Sequence, residues 1–582
     1  MSASLAAPGT ATSTAMPRRG GTLAPRLALG AGVAALLLFV GYPLLWLVLG
    51  AFGLPRGFGL DGFARSFTRA ANVAPLVNTV VLAVSVGLAS VVVAVPLAFA
   101  VARTDVALRR VVHGLVGLAY VLPPYLTSVA YIILLGPNAG HINRALAWLG
   151  LDFGLNIFTG SGVVFVITLH VFAIPYFLTC EALQSVDGSM EESARMLGAG
   201  RWGVVRRVTL PLVAPAITGG ALLAAVNSLA LFGPQAILGL PAQIVYLPTR
   251  IFGAVSSYPP RYPEASAMSL ALVALTVAGL AAQRLYLGRR SYVTVGGKGV
   301  RPARWRLGPW RWPVGGLLMV PVLLAAVAPV TVLTLAAFSK VWTKAPTLDN
   351  LTLAHFQAAL LDNQIAVRGL VNSLELAVAA ATLAVLIGLA VAYLDLRTRL
   401  RGRVMLDYLA ILPLGLPGTV IQAYVAMPVM QAFIHPPVVL YGTIWILLVA
   451  YVARAIPMGA RSANAALRQV DASLEEAARI TGASWTAALR RVLLPILRPS
   501  LLLGWLLVFI PSLSELSTTI LLYSSGTETI SVAIYRLNDM GQLEVVAALS
   551  VVLIGIILVA LLLMQALAGR SRTAVVASAA GG

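Results

Sequence analysis

Two acidic residues sit inside apolar runs, where an ionised group is costly and a functional role is the default expectation. Glu375 follows Val371-Asn-Ser-Leu, and Glu515 lies in Pro511-Ser-Leu-Ser-Glu-Leu-Ser517. Carboxylates are hard oxygen donors, so the chemistry they offer is contact with a hard cation or a protonated amine. Ser512, Asn372 and Asn78 add neutral polar groups in similar surroundings. These five residues form a candidate substrate path. Other chemistry is poorly supplied. The five histidines are scattered, and Cys180 is the single cysteine, so neither an internal disulfide nor a stable metal site is expected. No cluster of His, Cys or paired carboxylates lies within a span to support catalysis. The one Gly-Lys pair, Gly297-Lys298, has Tyr292 and Gly299 where a phosphate loop needs Gly and Ser or Thr. The chain is therefore not expected to be an enzyme or to bind a cofactor itself.

The elements that position these residues are membrane helices. Hydrophobic residues make up 59% of the 582-residue chain and charged residues only 10%, against about 25% charged in soluble domains. Many stretches reach the length of about 18 apolar residues that crosses a bilayer as a helix. The alternation of a membrane β-barrel is absent. Spans are expected at 27–51, 75–102, 112–135, 161–180, 213–235 and 266–287, then at 313–338, 370–395, 405–433, 438–459, 499–522 and 545–568. The net charge of +21 would suggest nucleic acid in a soluble protein. Here the basic residues crowd span ends: Arg103, Arg109 and Arg110; eight Lys and Arg between Arg284 and Arg311; Arg397 to Arg403; and Arg570 with Arg572. The positive-inside bias then places all of them on the cytoplasmic side of a twelve-span chain with both termini inside. Residues 1–25 read as a disordered cytoplasmic tail, 288–312 as a basic cytoplasmic linker and 570–582 as a cytoplasmic tail.

The chain repeats itself. Residues 186–215 and 470–499 align without a gap at an offset of 284, with 15 identities in 30 positions. Asn78-Thr-Val-Val-Leu-Ala-Val84 is echoed by Asn372-Ser-Leu-Glu-Leu-Ala-Val378. Two six-span units, 26–287 and 313–569, thus follow one another in the same orientation as a parallel repeat. Glu375 and Glu515 break this symmetry, because Val81 and Leu231 stand in the matching places of the first half. The repeated segment is too polar to cross a membrane and sits between the fourth and fifth spans of each half. Ser189 with Glu192, and Ser473 with Glu476, have capping-box spacing. Glu191 and Glu475 place negative charge at the positive helix end. Met190, Ala194 and Leu197 share one face, as do Leu474, Ala478 and Thr481. Gly198 and Gly482 end each helix. A second short basic helix is expected next, with Pro211 or Pro495 marking the return to the membrane.

The run Glu191-Glu192-Ser193-Ala194, Gly198 and Leu210-Pro211, repeated as Glu475-Glu476-Ala477-Ala478, Gly482 and Leu494-Pro495, resembles the coupling-helix (EAA-loop) motif of ABC-importer permeases. Ser193 departs from the usual Ala. The resemblance implies an all-α polytopic fold of two type I importer transmembrane domains. It implies coupling residues Glu191, Glu192, Ala194, Gly198, Pro211, Glu475, Glu476, Ala478, Gly482 and Pro495, docked on two separate ABC ATPases that carry ATP and Mg. It also implies a periplasmic or lipid-anchored binding protein as partner and a bacterial inner-membrane location. Pro413-Leu-Gly-Leu-Pro417-Gly418, Ser514-Glu515-Leu516-Ser517, Leu521 to Glu528 and Gly233 to Pro241 look like the ferric-iron importer permeases. Ferric-iron import is the resulting expectation. Thiamine, phosphonate, polyamine and sulfate permeases share part of these stretches. An ion-coupled secondary transporter is the alternative from another class; it would leave the duplicated segment without a role.

Overall fold

A computed structural model describes residues 23–54, 57–151, 153–229, 231–288, 304–344, 347–398, 429–435 and 437–579. Among them, nine single helices are long and apolar enough to cross a membrane: Gly30–Ala51, Ala71–Arg103, Arg201–Leu229, Tyr262–Tyr286, Gly308–Ala337, Gln364–Arg397, Ile444–Arg468, Trp485–Leu513 and Leu543–Leu567. Two bent pairs, Arg109–Val121 with Pro124–Leu135 and Gly160–Val171 with Ala173–Ser185, bring the number to 11 if each is one span. These elements are numbered below as spans 1 to 8 and 10 to 12 in chain order. The ninth span, expected at 405–433, lies mostly outside the described residues, as do the stretch Pro413–Gly418, the first tail and most of the basic linker.

Proline explains where the helices depart from straight rods. Span 3 turns by 101° at Leu122 and Pro123, where Pro123 and Pro124 remove two consecutive backbone donors. It is therefore not the straight 112–135 span that its hydropathy suggests. Spans 5 and 11 each widen into a π turn, at Val205–Thr209 and Leu489–Leu493, just ahead of Pro211 and Pro495. The wide turn spares the carbonyl that a proline ring would strike. The basic segment is consequently the first two turns of one continuous helix, rather than the separate short helix expected from Pro211 and Pro495.

The first span of each half packs on the last span of its own half and also reaches across to the other half. Span 7 leans on span 3 of the first half, and the Tyr131 hydroxyl donates to the Leu324 carbonyl at 2.9 Å. Span 1 touches spans 8 and 10, and the Tyr42 hydroxyl donates to the carbonyl of Ala432, near the end of the expected ninth span, at 3.1 Å. Small residues let backbones touch, as expected where lipid gives no hydrophobic drive between helices. A β-carbon on Gly388 would lie 2.4 Å from the backbone of Gly459, so spans 8 and 10 meet there main chain to main chain. Buried side chains of spans 2 to 5 join those of spans 7, 11 and 12 in one apolar core, while span 1 shares a second with spans 8 and 10.

Candidate coupling segments and substrate path

Each repeated segment folds as one short helix closed by a glycine turn. The first runs Gly188–Met196 and the second Ser473–Ile480. Their caps differ from the capping boxes that the sequence suggests. Asp187 Oδ1 accepts from the Ser189 N–H at 2.9 Å, and Asp471 Oδ1 accepts from the Ser473 N–H at 2.9 Å. The aspartate turn forms ahead of each serine, and the capped donor is the serine's backbone N–H. The amide of Ser473 holds the Asp471 carboxyl below its ordinary value. At the other end Gly198 (φ +85°) and Gly482 (φ +92°) take the left-handed conformation. The Gly198 and Ala199 N–H groups donate to the carbonyls of Arg195 and Ala194 at 2.9 and 3.0 Å. Gly482 and Ala483 repeat the pattern on Arg479 and Ala478, both at 3.1 Å. This is a Schellman closure in both copies.

The tandem glutamates point opposite ways. Glu192 and Glu476 are exposed. Glu191 and Glu475, expected as partner contacts, are buried at 2% and 8% exposure. Glu191 lies 3.4 Å from Arg103 and accepts from the Thr209 hydroxyl at 2.8 Å. Glu475 accepts from the Tyr393 hydroxyl. Adjacent residues stand about 100° apart around a helix axis, so a helix seated on one face can bury one of such a pair and expose the other. Exposed apolar side chains stand beside the exposed glutamates, with Met196 84%, Leu197 89% and Ile480 73% accessible near Met190, Trp202 and Leu474 in the sequence. Ala194 and Ala478 are half-buried, and Pro211 and Pro495 are exposed at the root of the next span.

The five path residues have different partners and surroundings. Glu515 is 4% exposed, paired with Arg454 of span 10, and accepts from the Thr518 N–H at 2.9 Å. Its carboxylate is committed to partners within the second half. Ser512 is buried one turn earlier on span 11. Glu375 lies on an exposed stripe of span 8 with Val371, Val378 and Leu386. Asn78 and Asn372 are tethers: their amides donate to the carbonyls of Val245 and Glu528 at 3.0 and 2.8 Å. Beside them the Thr79 and Ser373 hydroxyls each accept, at 2.8 Å, from the Leu247 and Ile530 N–H groups. Each pair thus pins the start of a short helix, Leu247–Ser256 or Ile530–Asp539. Asn78 also borders a cavity of about 1000 Å³ between spans 2, 4 and 7, lined mainly by Val81, Val92, Val164, Phe165 and Leu324. Sequence reasoning missed Arg103, Tyr393, Thr209 and Arg454. Arg103 was legible only as a basic residue at a span end.

Up to 11 spans among the described residues, with a duplicated polar helix just ahead of spans 5 and 11, mark a transport permease. Residues 90–290 and 384–573 match the family described as binding-protein-dependent transport system inner membrane component, and the chain belongs to that family. It is a membrane-spanning permease subunit and not an enzyme. It is 28% identical to the putative ferric transport system permease protein FbpB 1 of Haemophilus influenzae, over 85% of this chain and 77% of that one. It is 26% identical to the ferric transport system permease protein FbpB of Actinobacillus pleuropneumoniae, over 94% of this chain and 79% of that one. A solved bacterial ABC transporter for import of the acidic polysaccharide alginate shares 22% identity at a TM-score of 0.38, covering 46% of this chain and 95% of its own.

Proposed function

We propose that the chain is the permease of an ATP-driven importer that receives ferric iron from a periplasmic or lipid-anchored binding protein. Two separate ATPase subunits dock on the two coupling segments, bind ATP and Mg, and drive the halves between outward and inward access. The observation that carries this reading is the duplicated coupling helix, which presents exposed Met196, Leu197 and Ile480 beside Glu192 and Glu476. Adjacent exposed apolar side chains such as Met196 and Leu197 suit a protein cleft. Both termini, residues 288–312 and both coupling segments face the cytoplasm of an inner-membrane protein, and the transmembrane units are 26–287 and 313–569. Iron as substrate is supported by the ferric permeases among the relatives. Glu515 lends it no support, because Arg454 already neutralises the acid.

Two measurements test the proposal. Cysteines at Arg201 and Thr486 in a Cys180→Ala background are expected to react with a membrane-impermeant reagent only from the cytoplasmic side. Labelling from outside intact cells overturns the orientation. Vesicles holding the complete complex are expected to take up labelled ferric iron with ATP. If they ignore iron while the binding protein captures a phosphonate, thiamine or a polyamine, the substrate is wrong and the importer stands.

A further inference from the structure

The two coupling helices match in sequence but are tied to the membrane domain by different chemistry. In the first half the tie is ionic. Arg103 is the last residue of span 2 and is 1% exposed. Its Nη2 lies 3.4 Å from Glu191 Oε1 and donates to the Val186 carbonyl at 3.2 Å. The inter-half linker clasps the backbone of the same residue: the Trp305 N–H donates to the Arg103 carbonyl at 2.8 Å. The Asp105 N–H donates to the Trp305 carbonyl at 3.1 Å, and the Leu307 N–H donates to the Asp105 carboxylate at 2.7 Å.

In the second half the tie is a chain of hydrogen bonds. The Tyr393 hydroxyl donates to Glu475 and accepts from Trp485 Nε1 at 2.7 Å. Arg397, the repeat counterpart of Arg103, directs its Nη2 at the carbonyls of Leu467 and Val470. The residues that make the difference are asymmetric between the copies. Phe99 matches Tyr393, Arg201 matches Trp485, and Leu493 matches Thr209.

We propose that Glu191 and Glu475 are positioning residues for coupling, and that only the first acts through charge. Glu191 locks its helix to Arg103 and, through Arg103, to the linker. Glu475 needs only an acceptor for Tyr393. The inference rests on the importer reading above and adds to it an inequality between the two levers. The physical basis is that removing one member of a buried ion pair leaves the other uncompensated. A glutamine side chain, by contrast, still offers a carbonyl oxygen to a tyrosine hydroxyl.

The test uses the full chain with Cys180→Ala, reconstituted in nanodiscs with its ATPase partners. Spin labels at Met196→Cys and Ile480→Cys report the mobility of each coupling helix. Transport per ATP hydrolysed reports coupling, because loss of folded protein lowers both rates together and leaves that ratio unchanged. Glu191→Gln is expected to mobilise the label on the first helix and to lower transport per ATP by about tenfold or more. Glu475→Gln is expected to leave the second helix as ordered as before, with the ratio within about twofold. Tyr393→Phe is expected to mobilise the second helix. If Glu191→Gln does not accumulate, Thr209→Val removes only the 2.8 Å hydrogen bond to the same carboxylate and is expected to loosen the first helix alone. Equal responses of the two Gln variants, or an immobile first helix in both Glu191→Gln and Thr209→Val, overturn the inference. A wild-type complex that never couples ATP to transport overturns the importer reading, while the mobility comparison still decides the inequality.

Discussion

The carboxylate of Glu515, just beyond the end of span 11, is clamped by the guanidinium of Arg454 from span 10. Glu515 is 4% exposed, and its second anchor is the Thr518 N–H at 2.9 Å. A buried acid so paired joins two helices of one half. Removing either partner would leave the other charge buried and unpaired.

The first prediction follows from that pairing. Glu515→Gln leaves the Arg454 charge without its counter-ion and is expected to destabilise the second half by about 3 kcal/mol. Thermal unfolding in detergent and the level of inserted protein measure it. Replacing both residues with leucine is expected to recover much of the loss, since a well-packed apolar pair removes both buried charges. Full stability of the single variant together with altered substrate preference would return Glu515 to the transport path.

Gly198 and Gly482 set a second expectation. A β-carbon at either position meets no atom within 4 Å, so the backbone alone resists substitution. Gly198→Ala is expected to cost about 1 kcal/mol through its left-handed conformation. Gly198→Asp and Gly482→Asp add a charge that a protein cleft must desolvate, and are expected to weaken ATPase docking while insertion proceeds. Co-purification of the ATPase with each variant measures this. Undiminished capture and transport by the doubly substituted chain would refute the docking role.

Acid should loosen the second coupling helix at its start. The Asp471 carboxyl is held below its ordinary value, first by the Ser473 N–H. A lowered folded-state value means the cap is fully present above the unfolded value of about 3.9 and is lost as pH falls through the folded one. Exchange of the Ser473 amide with solvent, corrected for intrinsic pH dependence, is expected to lose protection below about pH 4. In Asp471→Ala the protection should be low at every pH. Protection that survives acid in the native chain would discount the cap.

Asn78 and Asn372 make a symmetric pair of tethers, and each should act on its own half. Asn78→Ala is expected to cost about 1 kcal/mol and to free the helix Leu247–Ser256, and Asn372→Ala to do the same for Ile530–Asp539. Local hydrogen exchange measures both. The effects should add, because the tethers share no partner. A change in substrate selectivity without local loosening would favour the path reading of these two residues.

Much was legible in the sequence because it is local. Apolar run length announces a membrane helix, and the offset of 284 announces the parallel repeat. The left-handed Gly198 and Gly482 follow from residue type and place in the motif. Which of two adjacent glutamates turns inward is not local. Glu191 and Glu192 are chemically alike, and only the seating of the helix against the end of span 2 separates them. The same holds for Arg454 with Glu515, for Tyr393 with Glu475, and for Asn78 reaching Val245. The sequence by itself determined the class of protein, the repeat and the place of the two duplicated polar helices. Tertiary structure alone decided which polar groups are buried, because a charge inside a membrane protein takes its meaning from the group that another helix brings to it.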